Sequence, residues 1–217
     1  GSPGYINRVT TELLNSDPME EMESLDETSR KRLEAKYNDT IRELRELRRN
    51  GLRFYWGEGD WYAGAETEYL SEAAGFLKGD YRDFLRFQAR EEKTRTAHDA
   101  ALMISWDELR QRIIRYDNFA KTHPKLDETN SEIQQEIKHL MTWYLYGIDN
   151  SPAYERQAPS TLKPELRKSY ERFIAENRES SLYPVISKAY GILKRHNFLF
   201  SKELDGYIKS AGVAFSY

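Results

Sequence analysis

The chain has 217 residues, with 33 Lys+Arg against 36 Asp+Glu and a formal net charge of −3. That balance argues against a nucleic-acid binder, which carries a basic domain or stripe. There is no cysteine, which excludes disulfides and thiolate chemistry, and no apolar run reaches the roughly 18 residues of a membrane span. The length suffices for a sizeable core, and a mean hydropathy of −0.83 fits a polar surface around a modest one. The 15 tyrosines offer apolar area with a polar end. They either stand in for Phe in a helical core or form half-exposed, adhesive seams.

Gly1-Ser2 reads as a cloning scar; a signal peptide or lipid-anchored cysteine could have been trimmed with it, so the start does not reveal the compartment. Residues 1–26 form a lead-in, with a short helix around Ile6 to Leu14, a break at Pro18 and an acidic stretch from Asp17 to Asp26. From Glu27 the pattern turns helical. Leu33, Tyr37, Ile41 and Leu44 make one apolar stripe at four- and three-residue spacing. Arg42 and Glu46 form an exposed supporting pair, and Gly51 sits where a C-terminal cap belongs. This is the longest helix expected.

Residues 52–65 break the period. Phe54-Tyr55-Trp56-Gly57-Glu58-Gly59-Asp60-Trp61-Tyr62-Ala63-Gly64 combines three glycines with five aromatics and reads as a structured loop. Helices follow over Glu66 to Ala74 and Asp80 to Lys93. In the second, Tyr81, Phe84, Leu85 and Gln88 form the inner side, while Arg82, Arg86 and Arg90 run along another face. A short helix is expected at His98 to Met103.

Ser105-Trp106-Asp107-Glu108 is a capping box. It opens a helix with Trp106, Leu109, Ile113, Tyr116 and Ala120 at core spacing that must stop before Pro124. Ser131-Glu132-Ile133-Gln134 opens another, with Ile133, Ile137, Leu140 and Tyr144 inward and Gly147 at its end. Asp149-Asn150-Ser151-Pro152 is a turn cluster, and 149–163 is the one plausible linker, too short and too apolar to force a domain boundary. Helices near Pro164 to Asn177, Pro184 to His196 and Lys202 to Ser210 complete the chain, the two prolines suiting a first turn. No segment shows clean period-two alternation. The expected fold is all-α: a single domain over 27–217, of about eight amphipathic helices packed as antiparallel hairpins.

Glu108-Leu109-Arg110 leading to Tyr116-Asp117-Asn118-Phe119 resembles Glu165-Leu166-Arg167 leading to Tyr170-Glu171-Arg172-Phe173. A helix ending in Tyr-x-x-Phe, a turn and a partner helix resembles the helical hairpins of TPR-like bacterial envelope proteins, over roughly residues 105–196. The 34-residue TPR period is absent. The whole chain also resembles helical bacterial secreted or lipoprotein families. These resemblances imply an extracytoplasmic setting and scaffolding or binding through a groove, without chemistry.

Few constellations carry chemistry. Glu136-Ile137-Lys138-His139 has the Glu-x-x-His spacing of di-iron bundles, but no second copy exists. At about 100° per residue, His139 projects away from the Ile133–Tyr144 stripe. His98, His123 and His196 fall near helix ends. Gly57-Glu58-Gly59-Asp60 lacks the third glycine of a dinucleotide fingerprint and the Lys-Ser/Thr of a P-loop. No cofactor or metal is expected. The candidate binding residues are therefore Trp56, Glu58, Asp60, Trp61 and Tyr62 of the aromatic loop, which would meet a protein or glycan partner. The alternative reading is a glycan- or cell-wall-acting hydrolase using Glu58 and Asp60 as paired carboxylates.

Overall fold

The computed structural model describes residues 25–57, 60–124 and 127–215, and the expected helix at Ile6 to Leu14 lies outside them. The described residues are mainly helical, so the fold is all-α as the sequence predicts. The chain divides after Lys93 into two compact units.

The first unit begins with α1 (Glu27–Arg49). Asp26 caps it, its Oδ1 accepting from the Thr28 and Ser29 amides at 3.0 Å each. Glu27 in the first turn and Arg48 and Arg49 in the last suit the helix dipole. The predicted stripe is buried: Ile41 and Leu44 lie inside, with Leu25, Leu33 and Tyr37 packed around Ile41. Arg42 reaches back to Asp39 at 3.2 Å and not on to Glu46. The helix bends at Tyr37 (φ −127°, ψ 30°). Gly51 follows its end at φ +85°, and a Cβ there would come within 2.5 Å of the Tyr69 ring. Backbone and space both call for glycine.

The expected aromatic loop is instead a β-hairpin. Strands β1 (Leu52–Gly57) and β2 (Asp60–Ala65) pair antiparallel from Leu52↔Ala65 to Gly57↔Asp60. Only Glu58 and Gly59, outside the described residues, separate them. Aromatic residues favour a pleated backbone, and a two-residue connection with glycine second is a hairpin signal. Alternation could not reveal the strands, because aromatics occupy consecutive positions in both.

Helices α2 (Thr67–Phe76) and α3 (Asp80–Glu92) then pack on each other. Ala74, Phe84 and Ala89 are buried between them, whereas Tyr81, expected inside, is 58% exposed. Burying small Ala89 allows close helix approach and leaves the bulky ring outside.

The second unit opens with a small hairpin, β3 (Ala97–His98) and β4 (Ala101–Leu102), where a short helix was expected. Asp99 and Ala100 both take positive φ (48° and 53°), the conformation a two-residue hairpin turn demands. Asn150 clamps this turn, its amide donating to Ala100 O at 2.7 Å and its side chain to Asp99 O at 2.9 Å.

Five helices follow: α4 (Trp106–Thr122), α5 (Asp127–Tyr146), α6 (Pro164–Glu176), α7 (Tyr183–Arg195) and α8 (Lys202–Ala211). Ser105 caps α4 as predicted, accepting from the Glu108 amide at 3.1 Å. The Glu108 side chain turns to Arg115 at 2.9 Å. Helix α5 starts at Asp127, a turn ahead of the expected Ser131. The stretch 149–163 is packed chain and not a linker. After β5 (Gly147–Ile148) and β6 (Ser151–Pro152) pair, Ala153, Tyr154 and Leu162 are buried. Bridges join Tyr154 to Leu162 and Thr161 to Leu199.

Helix α4 packs on α5 and α6, α6 on α7, and α7 on α8. The core they share contains Leu109, Ile113, Ile133, Ile137, Leu140, Leu166, Phe173, Ile186 and Leu193. Tyr144 and Tyr170 are fully buried in it, edge to face at 4.8 Å. Here tyrosine does replace Phe. Each hydroxyl finds a partner, as burial requires: Tyr170 donates to Tyr144 O at 2.7 Å, and Tyr144 meets Ser169 Oγ at 2.8 Å. Asp117, 3% exposed, ties α4 to the turn before α7 by accepting from the Ser181 amide and hydroxyl, with Lys121 at 2.9 Å.

Candidate functional site

The sequence singled out the hairpin. Its register sets Trp56 opposite Trp61, Tyr55 opposite Tyr62, and Asp60 opposite Gly57 at the closed end. The backbone ladder therefore places the two tryptophans at directly opposite positions. Glu58 lies outside the described residues.

The other singled-out groups occupy surfaces. Arg82 Nε bonds its neighbour Asp83 at 2.9 Å, and Arg90 Nε lies 3.8 Å from Glu91. His139 Nδ1 is 3.8 Å from Glu136, and its ring rests 4.6 Å from that of Phe215. Phe215 belongs to the C-terminal segment, whose amide donates to Thr142 Oγ1 at 2.8 Å. His123 stacks on Phe119 at 4.1 Å, and His196 Nε2 is 2.7 Å from Glu203. Among the described residues no three His, Asp or Glu side chains are grouped to hold a metal. No described helix is long and apolar enough to cross a membrane.

Two clefts stand out. In the first unit, a cleft of about 470 Å³ lies between the end of α1 and the start of α2, lined by Arg45, Arg48, Arg49, Glu66, Tyr69 and Glu72. Part of its charge is paired internally. Arg48 Nε holds the buried Glu66 carboxylate at 2.9 Å, and Arg45 is paired with Glu34.

In the second unit, a cleft of about 440 Å³ opens between the start of α4 and the N-terminal half of α6. Leu102, Ile104, Ser105, Trp106 and Asp107 form one wall, Glu165, Lys168, Ser169 and Arg172 the other, and Ser151 of β6 one end. The volume falls within the range of small-ligand sites. The local folding rules build it. The Ser105 cap fixes where α4 starts and so where Trp106 stands. Pro164, in the first turn of α6, sets the facing helix. Ser151 Oγ accepts from the Leu102 amide at 3.0 Å, joining the two small hairpins.

Most polar groups in this cleft are already engaged. Arg110 Nε donates to Asp107 Oδ1 at 2.9 Å and Arg172 Nη1 to Oδ2 at 3.0 Å. Burial works to raise the Asp107 carboxyl, but the hydrogen bond and charge of Arg110, with help from Gln111 and Arg172, hold it below the usual carboxylate range. Ser169 Oγ donates to Trp106 O at 3.0 Å and accordingly accepts from Tyr144. Glu165 and Lys168 are exposed and have no hydrogen-bond or ion-pair partner among the described residues.

A carboxylate locked as an anion is unsuited to donate a proton near neutral pH, and no histidine lines the cleft to activate a serine. What the walls offer is an apolar surface around Trp106 and one charge of each sign. Sequence reasoning found the Ser105 cap but missed the cleft, since nothing in the spacing brings Ser151 and α6 to that cap. No family model matches the chain, and comparison with curated proteins and with solved structures gives no match.

Proposed function

We propose that the chain is a non-enzymatic helical binding or scaffolding protein that recognises a partner protein or polymer through the cleft between α4 and α6. The aromatic hairpin, where the register sets Trp56 opposite Trp61, is a separate contact surface on the first unit. The observation that carries this reading is the cleft. It has an apolar wall at Trp106, Ile104 and Leu102, an Asp107 held by two arginines, and the exposed charges of Glu165 and Lys168, which have no partner among the described residues. Aromatic anchors in a concavity with polar groups at the rim are the usual anatomy of a recognition site. The succession of hairpins α4–α5 and α6–α7, with α4 against α6, supports the TPR-like resemblance and its implication of a groove.

A peptide-display library and an oligosaccharide array, both probed with the intact protein, test the proposal. The mouth is blocked in a Lys168→Trp variant, whose exposed position leaves the core untouched. Ligands that bind the intact protein and fail on the blocked variant support the reading. Ligands that bind both equally, or a glycan that is cleaved, overturn it.

A further inference from the structure

We propose that the α4–α6 cleft takes an extended peptide segment in which one apolar residue sits between an acidic and a basic residue. The inference rests on the binding role proposed above and adds the chemistry of the ligand.

Ser169 Oγ is committed, donating to Trp106 O and accepting from Tyr144, whereas Ser105 and Ser151 accept from the Glu108 and Leu102 amides and keep a hydroxyl proton for a carbonyl of the bound segment. Asp107 and Arg172 neutralise each other. Two charged groups remain without partners among the described residues, the Glu165 carboxylate and the Lys168 ammonium, both on α6. The facing wall contributes the apolar side chains of Trp106, Ile104 and Leu102.

An extended peptide matches this division. Its side chains alternate between two faces, with same-face neighbours about 6.6 Å apart. Glu165 and Lys168 are three apart on a helix, a spacing that sets their Cβ atoms about 5–6 Å apart. A segment lying along the cleft therefore meets Lys168 with an acidic residue and Glu165 with a basic one, both on the face turned to α6. The residue between them points the other way, onto Trp106. A helical ligand would turn successive residues by about 100° and would not present this alternation at so short a spacing. A wholly apolar ligand would leave both charges unpaired beside it, and a polyanion would meet Glu165.

The test titrates blocked tripeptides against the ¹⁵N-labelled full chain, following the Trp106 and Ser105 amide signals. The probes are acetyl-Glu-Leu-Lys-amide, acetyl-Lys-Leu-Glu-amide and the neutral acetyl-Gln-Leu-Gln-amide. One of the two charged sequences, whichever matches the chain direction, binds more tightly than the neutral one, by up to about fivefold for each ion pair. The swapped protein, Glu165→Lys/Lys168→Glu, reverses the preference between the two charged probes. Both positions are exposed, and circular dichroism checks that the swap folds.

Equal binding of all three probes at Trp106, or an unchanged preference in the swapped protein, overturns the charge pattern and leaves the binding role standing. If no tripeptide shifts Trp106 while a glycan, or only displayed peptides that lack the charged–apolar–charged pattern, bind in a Lys168-dependent way, the inferred ligand is wrong. If no display or array ligand binds either, the binding role itself falls.

Discussion

Replacing Ser169 with alanine is the sharpest test of how the second unit is held together. Ser169 is 1% exposed and Tyr144 fully buried. Their hydroxyls lie 2.8 Å apart, and Ser169 Oγ continues to Trp106 O at 3.0 Å. Ser169→Ala removes two hydroxyl contacts, changes the volume little, and strands the Tyr144 hydroxyl among apolar neighbours. Leaving a buried donor unsatisfied costs about 1–3 kcal/mol. Tyr144→Phe removes the other partner, and Ser169 still donates to Trp106 O, so that cost is nearer 0.5–1.5 kcal/mol, the net worth of one hydrogen bond. Once Phe replaces Tyr144, the alanine strands nothing. The double variant should therefore be more stable than the sum of the single losses implies, with a coupling of about 1 kcal/mol. Urea unfolding of the four proteins, compared at constant m, measures this directly. Additive losses, or a Ser169→Ala midpoint equal to that of the unsubstituted protein, would refute the network.

Other consequences are open to measurement. At Gly147 (φ +88°) an added Cβ would lie 2.2 Å from Ala153 N, so Gly147→Ala should destabilise by about 1–3 kcal/mol, read as a lower urea midpoint. Asn150→Ala should lower the midpoint less, since its amide still holds Ala100 O. Its mark should be faster hydrogen exchange across the β3–β4 turn. Burial works to raise the Asp117 carboxyl, but hydrogen bonds from Ser181, Lys121 and Ser180 outweigh it and hold the carboxyl below its ordinary 3.8. A depressed folded-state value adds stability that is complete above about pH 3.8 and disappears as the pH falls through the lower value. Asp117→Asn should thus lower the midpoint at pH 7 and show a smaller further fall on acidification to pH 3; an equal fall would contradict this assignment.

The parts of the fold legible in the sequence were those set by local rules. The stripe through Leu33, Tyr37, Ile41 and Leu44 fixed α1, Ser105 located the start of α4, and Gly51 and Gly147 marked the ends of α1 and α5, each at positive φ as a C-terminal glycine should be. The strands escaped because their signals are weak or masked. In β1 the aromatics run together as Phe54-Tyr55-Trp56 and in β2 as Trp61-Tyr62, so no alternation shows. At 97–102 the turn residues are Asp99 and Ala100, and alanine rarely marks a positive φ. The first turn of helix α5 escaped because Asp127-Glu128-Thr129 carries no apolar residue to extend the stripe.

The candidate site was legible only in part. The sequence pointed to Trp56 and Trp61, and the register does make them partners. The α4–α6 cleft is assembled from residues 102–107, 151 and 165–172, and tertiary packing alone brings these together. Lys168 and Glu165 look like an ordinary solvated helix face until the facing Trp106 wall is known.

The most direct test of the central claim is to map the footprint of the tightest display or array ligand on the ¹⁵N-labelled protein. The account predicts amide shifts concentrated at 102–107 and 165–172, abolished by Lys168→Trp. Shifts confined to other surfaces, and unaffected by that substitution, would contradict it.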